Sequence, residues 1–171
     1  MGVSPYLVSG RLADVIAAIQ FMSMNERSSL LCEDWAEGIS GDKAKSQHWH
    51  TVFEEHPEFF RRSPNYEGHY ALLWRRALPR RFFRKESRML SQAEFDTLPQ
   101  ADKMLVSRPR VPDQEIRTLI DIAIELHAKA REQHTDWRWW VPIVASFLGA
   151  LVAVLLDGIR QIGIRKKVLQ I

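Results

Sequence analysis

One cysteine, Cys32, stands alone in 171 residues, so no intramolecular disulfide can hold the chain together. Set among helix formers, it reads as a small core residue. Other absences narrow the chemistry. No phosphate-cradling glycine loop, nucleophile elbow or cysteine pair occurs anywhere in the sequence. The stretch from Gln47 to His56 is dense in histidine and acid, and His50 and Glu54 sit one helical turn apart, close enough to share a cation. The spacing of a helical zinc protease is missing, however, because the positions four after His48 and four before His56 are both Val52. A non-enzymatic protein with no metal and no cofactor is therefore expected. The first ten residues have neither a basic n-region nor an apolar h-region, and Tyr6 stands where a myristoylation signal needs Ser or Thr. Residues 1–138 are expected to stay in the cytoplasm.

A large excess of either charge is also lacking, with 24 Lys and Arg against 21 Asp and Glu. The distribution is less even than the sum. Arg75, Arg76, Arg80, Arg81, Arg84, Lys85 and Arg88 share one short stretch with a single acid, Glu86, and such a patch seeks an anion.

What the sequence has in one place only is a long apolar run, Val141 to Leu156, uncharged throughout. With Trp139, Trp140, Gly158 and Ile159 the run reaches about the 30 Å of a hydrocarbon core at roughly 1.5 Å per residue. Tryptophans 137, 139 and 140 precede it, and Arg160, Arg165, Lys166 and Lys167 follow it, as interfacial aromatics and snorkelling cations would. A single transmembrane helix over 139–159 and a basic tail over 160–171 are expected, anchored by Trp139, Trp140, Ala145, Gly149 and Ala153. The last three residues form a small-residue face that lets membrane helices approach closely.

In the N-terminal part, Ser9 is placed to cap a helix whose Leu12, Val15, Ile16, Ile19 and Met22 recur at helical spacing. A second helix is expected from about Leu30, ended by Gly38 and Gly41. A third, capped by Asp42, runs to Glu55 and buries Trp49, Val52 and Phe53. The period then changes. Phe59 to Arg62 and Tyr70 to Arg75 read as the two strands of a hairpin around the turn residues 63–69.

Three helices with a short turn, Ile39-Ser40-Gly41-Asp42, between the second and third, followed by a two-stranded ribbon, resemble the winged helix-turn-helix family over about residues 10–78. The resemblance implies a third helix entering the major groove and a hairpin touching phosphates. On that pattern Lys43, Lys45, Ser46, Gln47 and His50 would meet nucleic acid from the helix, and Arg61, Arg62 and Asn65 from the hairpin. Glu54, Glu55 and Glu58 depart from it, since acids facing a duplex repel phosphate. Arg75, Arg76, Arg80 and Arg81 would extend the interface by neutralising phosphates, or lie on an anionic lipid surface with Phe82 and Phe83 between them.

Beyond the head, assigned to residues 1–90, prolines 99, 109 and 112 mark residues 91–112 as a linker, with one short helix from Gln92 that Ser91 can cap. Residues 113–138 form a stalk helix with a heptad: Ile116 and Ala123, seven apart, and Leu119 and Leu126 fall on one seam suited to homo-oligomerisation. The expected fold is thus mostly α with a small β-hairpin, a winged-helix-like N-terminal domain, and a long stalk continuing into a single transmembrane helix. The expected function is a prokaryotic regulator held at the inner membrane, its cytoplasmic head binding DNA or RNA. The other candidate is an oligomeric membrane adaptor or effector, for example in phage defence, whose head docks a protein partner.

Overall fold

Val15, Ala18, Ile19 and Met22 are spaced three and four apart and all are buried, so the first helix, α1 (Arg11–Met24), turns one stripe inward. The computed structural model describes residues 4–136 and 145–146. Before α1, a 3-10 turn at Pro5–Leu7 brings Tyr6 into the core. Gly10, at φ +79°, makes the entry into α1 without any side-chain cap. Ser9 is therefore not the cap, because the left-handed backbone of its neighbour sets the start.

Leu30–Leu31 forms a short strand, β1, and α2 (Cys32–Ser40) follows directly. Gly38 lies inside α2 rather than ending it. Gly41, at φ +72°, closes the helix, its N–H donating to Glu37 O at 2.7 Å. Asp42 accepts from Ala44 N at 2.9 Å and so caps the 3-10 turn Lys43–Lys45, which leads into α3 (Ser46–Glu55). The chain then makes a hairpin of β2 (Phe60–Arg62) and β3 (His69–Leu72), pairing Phe60 with Leu72 and Arg62 with Tyr70. On the other edge of β3 lies β1, giving the order β1-β3-β2. Trp74 and Arg75, expected in the second strand, instead belong to a 3-10 turn, Trp74–Ala77.

Aromatic rings bind these elements. The Phe53 ring centroid is 5.1 Å from those of both Phe60 and Tyr70, and Trp35 Nε1 donates to Tyr70 O at 2.9 Å, joining α2 to β3. Each such ring removed from water contributes on the order of 2 kcal/mol.

A second sheet was not foreseen. Phe82–Phe83 (β4), Arg88–Met89 (β5) and Val106–Ser107 (β6) are antiparallel neighbours in the order β5-β4-β6. Phe83, Leu90 and Val106 make its core, with Phe95, Leu98 and Leu105 against it. Between β5 and β6 lie α4 (Gln92–Thr97) and α5 (Gln100–Lys103), and Ser91 with Glu94 forms a capping box at the start of α4. The stretch expected to be a linker thus supplies a strand and two helices.

The last described helix, α6, spans Asp113–Asp136. The chain divides into Met1–Ala128 and Lys129–Ile171, so the expected head, linker and first turns of the stalk are one unit. Trp74 Nε1 donates to Glu115 at 2.6 Å, and the His127 ring lies 2.8 Å from Tyr6 O, which fastens α6 to the 3-10 turns Trp74–Ala77 and Pro5–Leu7. Ile116, Leu119 and Ala123 are buried and Leu126 is half-buried within a single copy.

The expected membrane architecture is corrected. Among the described residues no helix is long and apolar enough to cross a membrane, so a stalk continuing into a transmembrane helix, and a single-pass inner-membrane location, are not supported. The physical reason within α6 is its charge: Asp121, Glu125, Lys129, Arg131 and Glu132 interrupt every apolar stretch. Trp139, Trp140, Gly149 and Ala153 lie outside the described residues, and Ala145 is helical and exposed.

Candidate functional site

Arginine 75 organises the site without belonging to its surface. Carried by the 3-10 turn after β3, it is fully buried and its guanidinium donates to main-chain oxygens only. Nε reaches Pro109 O and Nη2 reaches Arg108 O, each at 2.9 Å; Nη1 reaches Met22 O at 2.8 Å and Arg27 O at 3.3 Å; Nη2 also approaches Glu26 O at 3.5 Å. Burial, and then the charges of Arg110 and Arg108, bring this guanidinium down to about 10, so it is still charged at neutral pH. Its planar fork of donors suits several carbonyls at once, which an ammonium could not match. The consequence is positional. The loop after α1, carrying Arg27, and the strand-end carrying Arg108 are held beside each other.

Between them opens a concavity of about 360 Å³. Arg27, Ser28 and Ser29 form one part of its wall, and Ser63, Pro64, Asn65 and Tyr66, from the turn between β2 and β3, form another. His69 and Ala71 come from β3, Arg76 and Arg80 come from the segment joining the two sheets, and Arg84 comes from the turn between β4 and β5. Met104, Val106, Ser107 and Arg108 close it from around β6. Five arginines line one space, and among the described residues no aspartate or glutamate lines it.

Main-chain oxygens hold two of these arginines in place. Arg80 Nε donates to Val106 O at 2.9 Å, and Arg84 donates through Nε to Leu105 O at 3.1 Å and through Nη2 to Met104 O at 3.3 Å. A carbonyl orients a guanidinium without neutralising it. The excess positive charge is felt at Arg108, which burial and then the charges of Arg76 and Arg80 push below the usual range of a guanidinium. Such a site favours an anion that spreads its charge over several oxygens, because each guanidinium can meet two of them. Phosphate groups have that geometry.

The third helix presents a different picture. Lys43 Nζ lies 3.5 Å from Asp34 and 3.3 Å from Glu37, and Glu37 first among them raises its affinity for the proton. The Ser46 carbonyl accepts the Cys32 thiol at 3.3 Å, and the His50 ring packs edge-on at 5.7 Å from Tyr70. Lys45 and Gln47 are exposed. The acids that seemed to oppose nucleic acid are turned to protein partners: Glu54 accepts the Tyr70 hydroxyl, Glu55 pairs with Arg11 at 2.9 Å, and Glu58 accepts from Tyr6 and lies 3.1 Å from His56 Nδ1.

Of the expected nucleic-acid contacts, then, Arg76 and Arg80 reach the groove together with Asn65, whereas Arg75 is buried as its support. Arg61 and Arg62 are exposed and border a second concavity with Phe53, Glu54, Pro57, Phe60, Tyr70 and Leu73. Arg81 is half-buried and does not line the groove. Arg27, Tyr66, His69 and Arg108 were not expected. Only the basic cluster around Arg84 carried a sequence signal, since nothing local connects Arg27 with Arg108. The expected oligomer seam, Ile116, Leu119 and Ala123, is turned into this chain's own core.

Comparison of the chain with protein-family models, with curated proteins and with solved structures returns no match.

Proposed function

We propose that this protein binds nucleic acid, and that it does so through the arginine-lined groove rather than through α3. One observation carries the reading: Arg27, Arg76, Arg80, Arg84 and Arg108 converge on one concavity, with no acidic side chain lining it among the described residues. Nucleic acid is the polyanion whose phosphates repeat at a spacing that several guanidinium groups can meet together, and contacts of this kind govern affinity and its dependence on salt. The order of elements, three helices followed by the β2-β3 ribbon, is compatible with a winged-helix-like head in which the ribbon's turn touches the ligand. In this arrangement Ser63, Asn65 and Tyr66 on that turn stand next to the cationic wall.

The test is titration of the purified full chain with labelled DNA across a range of salt concentrations. Binding should weaken steeply as salt rises, with a slope that falls by about 0.7 to 0.9 for each phosphate contact removed. Arg76→Glu should abolish measurable binding at moderate salt, while Lys45→Glu should leave the affinity within about twofold, because α3 is not the contact. The opposite pattern would return the interface to α3. No binding at low salt would leave the groove to the acidic segment of a protein partner.

A further inference from the structure

We propose that the ligand of the groove is single-stranded, with one unpaired nucleobase stacked on Tyr66 while its flanking phosphates lie against the arginines; this rests on the nucleic-acid reading above. Tyr66 is 62 % exposed, so core packing does not account for the large ring at this position. It lines the same space as Arg76 and Arg80. The turn that carries it is closed from within, Ser63 N donating to His69 O at 2.7 Å and His69 N to Tyr66 O at 3.3 Å, with Gly68 at φ +69° completing the bend. The His69 ring lies 5.4 Å from the Tyr66 ring at an interplanar angle of 42°. The phenol is therefore steadied by a neighbour and offers its remaining surface to the groove.

A flat aromatic surface beside a cationic wall is the combination that holds single strands, because every base has a face to stack and every nucleotide a phosphate to pair. A duplex offers its phosphates and base edges but keeps its faces stacked on one another. Size points the same way. A concavity of about 360 Å³ lies near the lower end of the roughly 300 to 1,000 Å³ typical of small-ligand sites, which is room for one splayed nucleotide. Asn65 at the rim, with both donor and acceptor on one amide, is equipped to meet the edge of the stacked base.

The experiment compares a labelled oligothymidylate with its duplex on oligoadenylate, each titrated into the full chain, with inorganic polyphosphate as a competitor that has charge and no base. The single strand should bind more tightly than the duplex. Tyr66→Ala should weaken single-strand binding by about tenfold, a loss within the range of one base–aromatic stack, with its salt slope and its affinity for polyphosphate unchanged. Tyr66→Phe should bind as the parent does. If Tyr66→Ala binds the single strand like the parent while Arg76→Glu does not bind, the base contact is overturned and the basic groove stands. Tighter binding of the duplex also overturns it. Failure of both oligonucleotides to bind at low salt overturns this inference and the function it rests on together.

Discussion

At the scale of single residues, the buried Arg75 and the Glu58 carboxylate beside the buried His56 and Tyr6 show how the chain uses polar groups internally. Arg75 satisfies carbonyls from two distant segments, and removing its guanidinium leaves those oxygens without their donor in a site that excludes water. Arg75→Met should therefore lower stability by about 3 kcal/mol, read from the midpoint of urea unfolding. It should weaken nucleic-acid binding as well, since Arg27 and Arg108 lose their common support. Glu58 behaves differently. Burial alone would raise its affinity for the proton, but the hydrogen bonds from His56 and Tyr6 outweigh that and hold it below the usual 4.5. A carboxylate lowered on folding contributes stability that is fully present above about pH 4.5 and is lost as the pH falls through the folded value. In Glu58→Gln, unfolding midpoints recorded against pH should accordingly decline less steeply on the acid side than those of the parent chain.

At the scale of elements, local signals decided where helices stop more firmly than where strands begin. Gly41 adopts φ +72° with open space around the position a Cβ would take. Gly41→Ala should thus cost about 1 kcal/mol through backbone strain alone, measured by thermal unfolding, and Gly41→Asn should cost less. The same reasoning made α2, α3 and α4 legible, because Gly41, Pro57 and the Ser91 cap act within a few residues of themselves. The hairpin was legible from its alternation and its turn residues. The second sheet was not, since β4, β5 and β6 each contain two residues, too few to show any period. Pro99, Pro109 and Pro112 looked like marks of a linker, yet β6 lies between them and pairs with β4. The heptad spacing in α6 marks an apolar stripe suited to self-association, but a stripe does not say what covers it. Here Ile116, Leu119 and Ala123 are buried in one copy, and the surface expected for self-association is in use.

For the whole molecule, the candidate site exists only where two small sheets and the loop after α1 meet. Helical period, turn chemistry and capping are short-range, so the sequence by itself determined the three N-terminal helices, the ribbon after them, the amphipathic α6 and the clustering of Arg76, Arg80 and Arg84. It also pointed to a membrane helix over 139–159, whereas among the described residues no helix is long and apolar enough to cross a membrane. The tertiary structure alone decided that Arg75 is a support and that Lys43 is paired with Asp34 and Glu37. It alone placed Arg27 and Arg108 across one cavity beside Tyr66. The reason is that a charge acquires its role from the distance to other charges and from the water around it, and both are set by chain segments far apart in sequence.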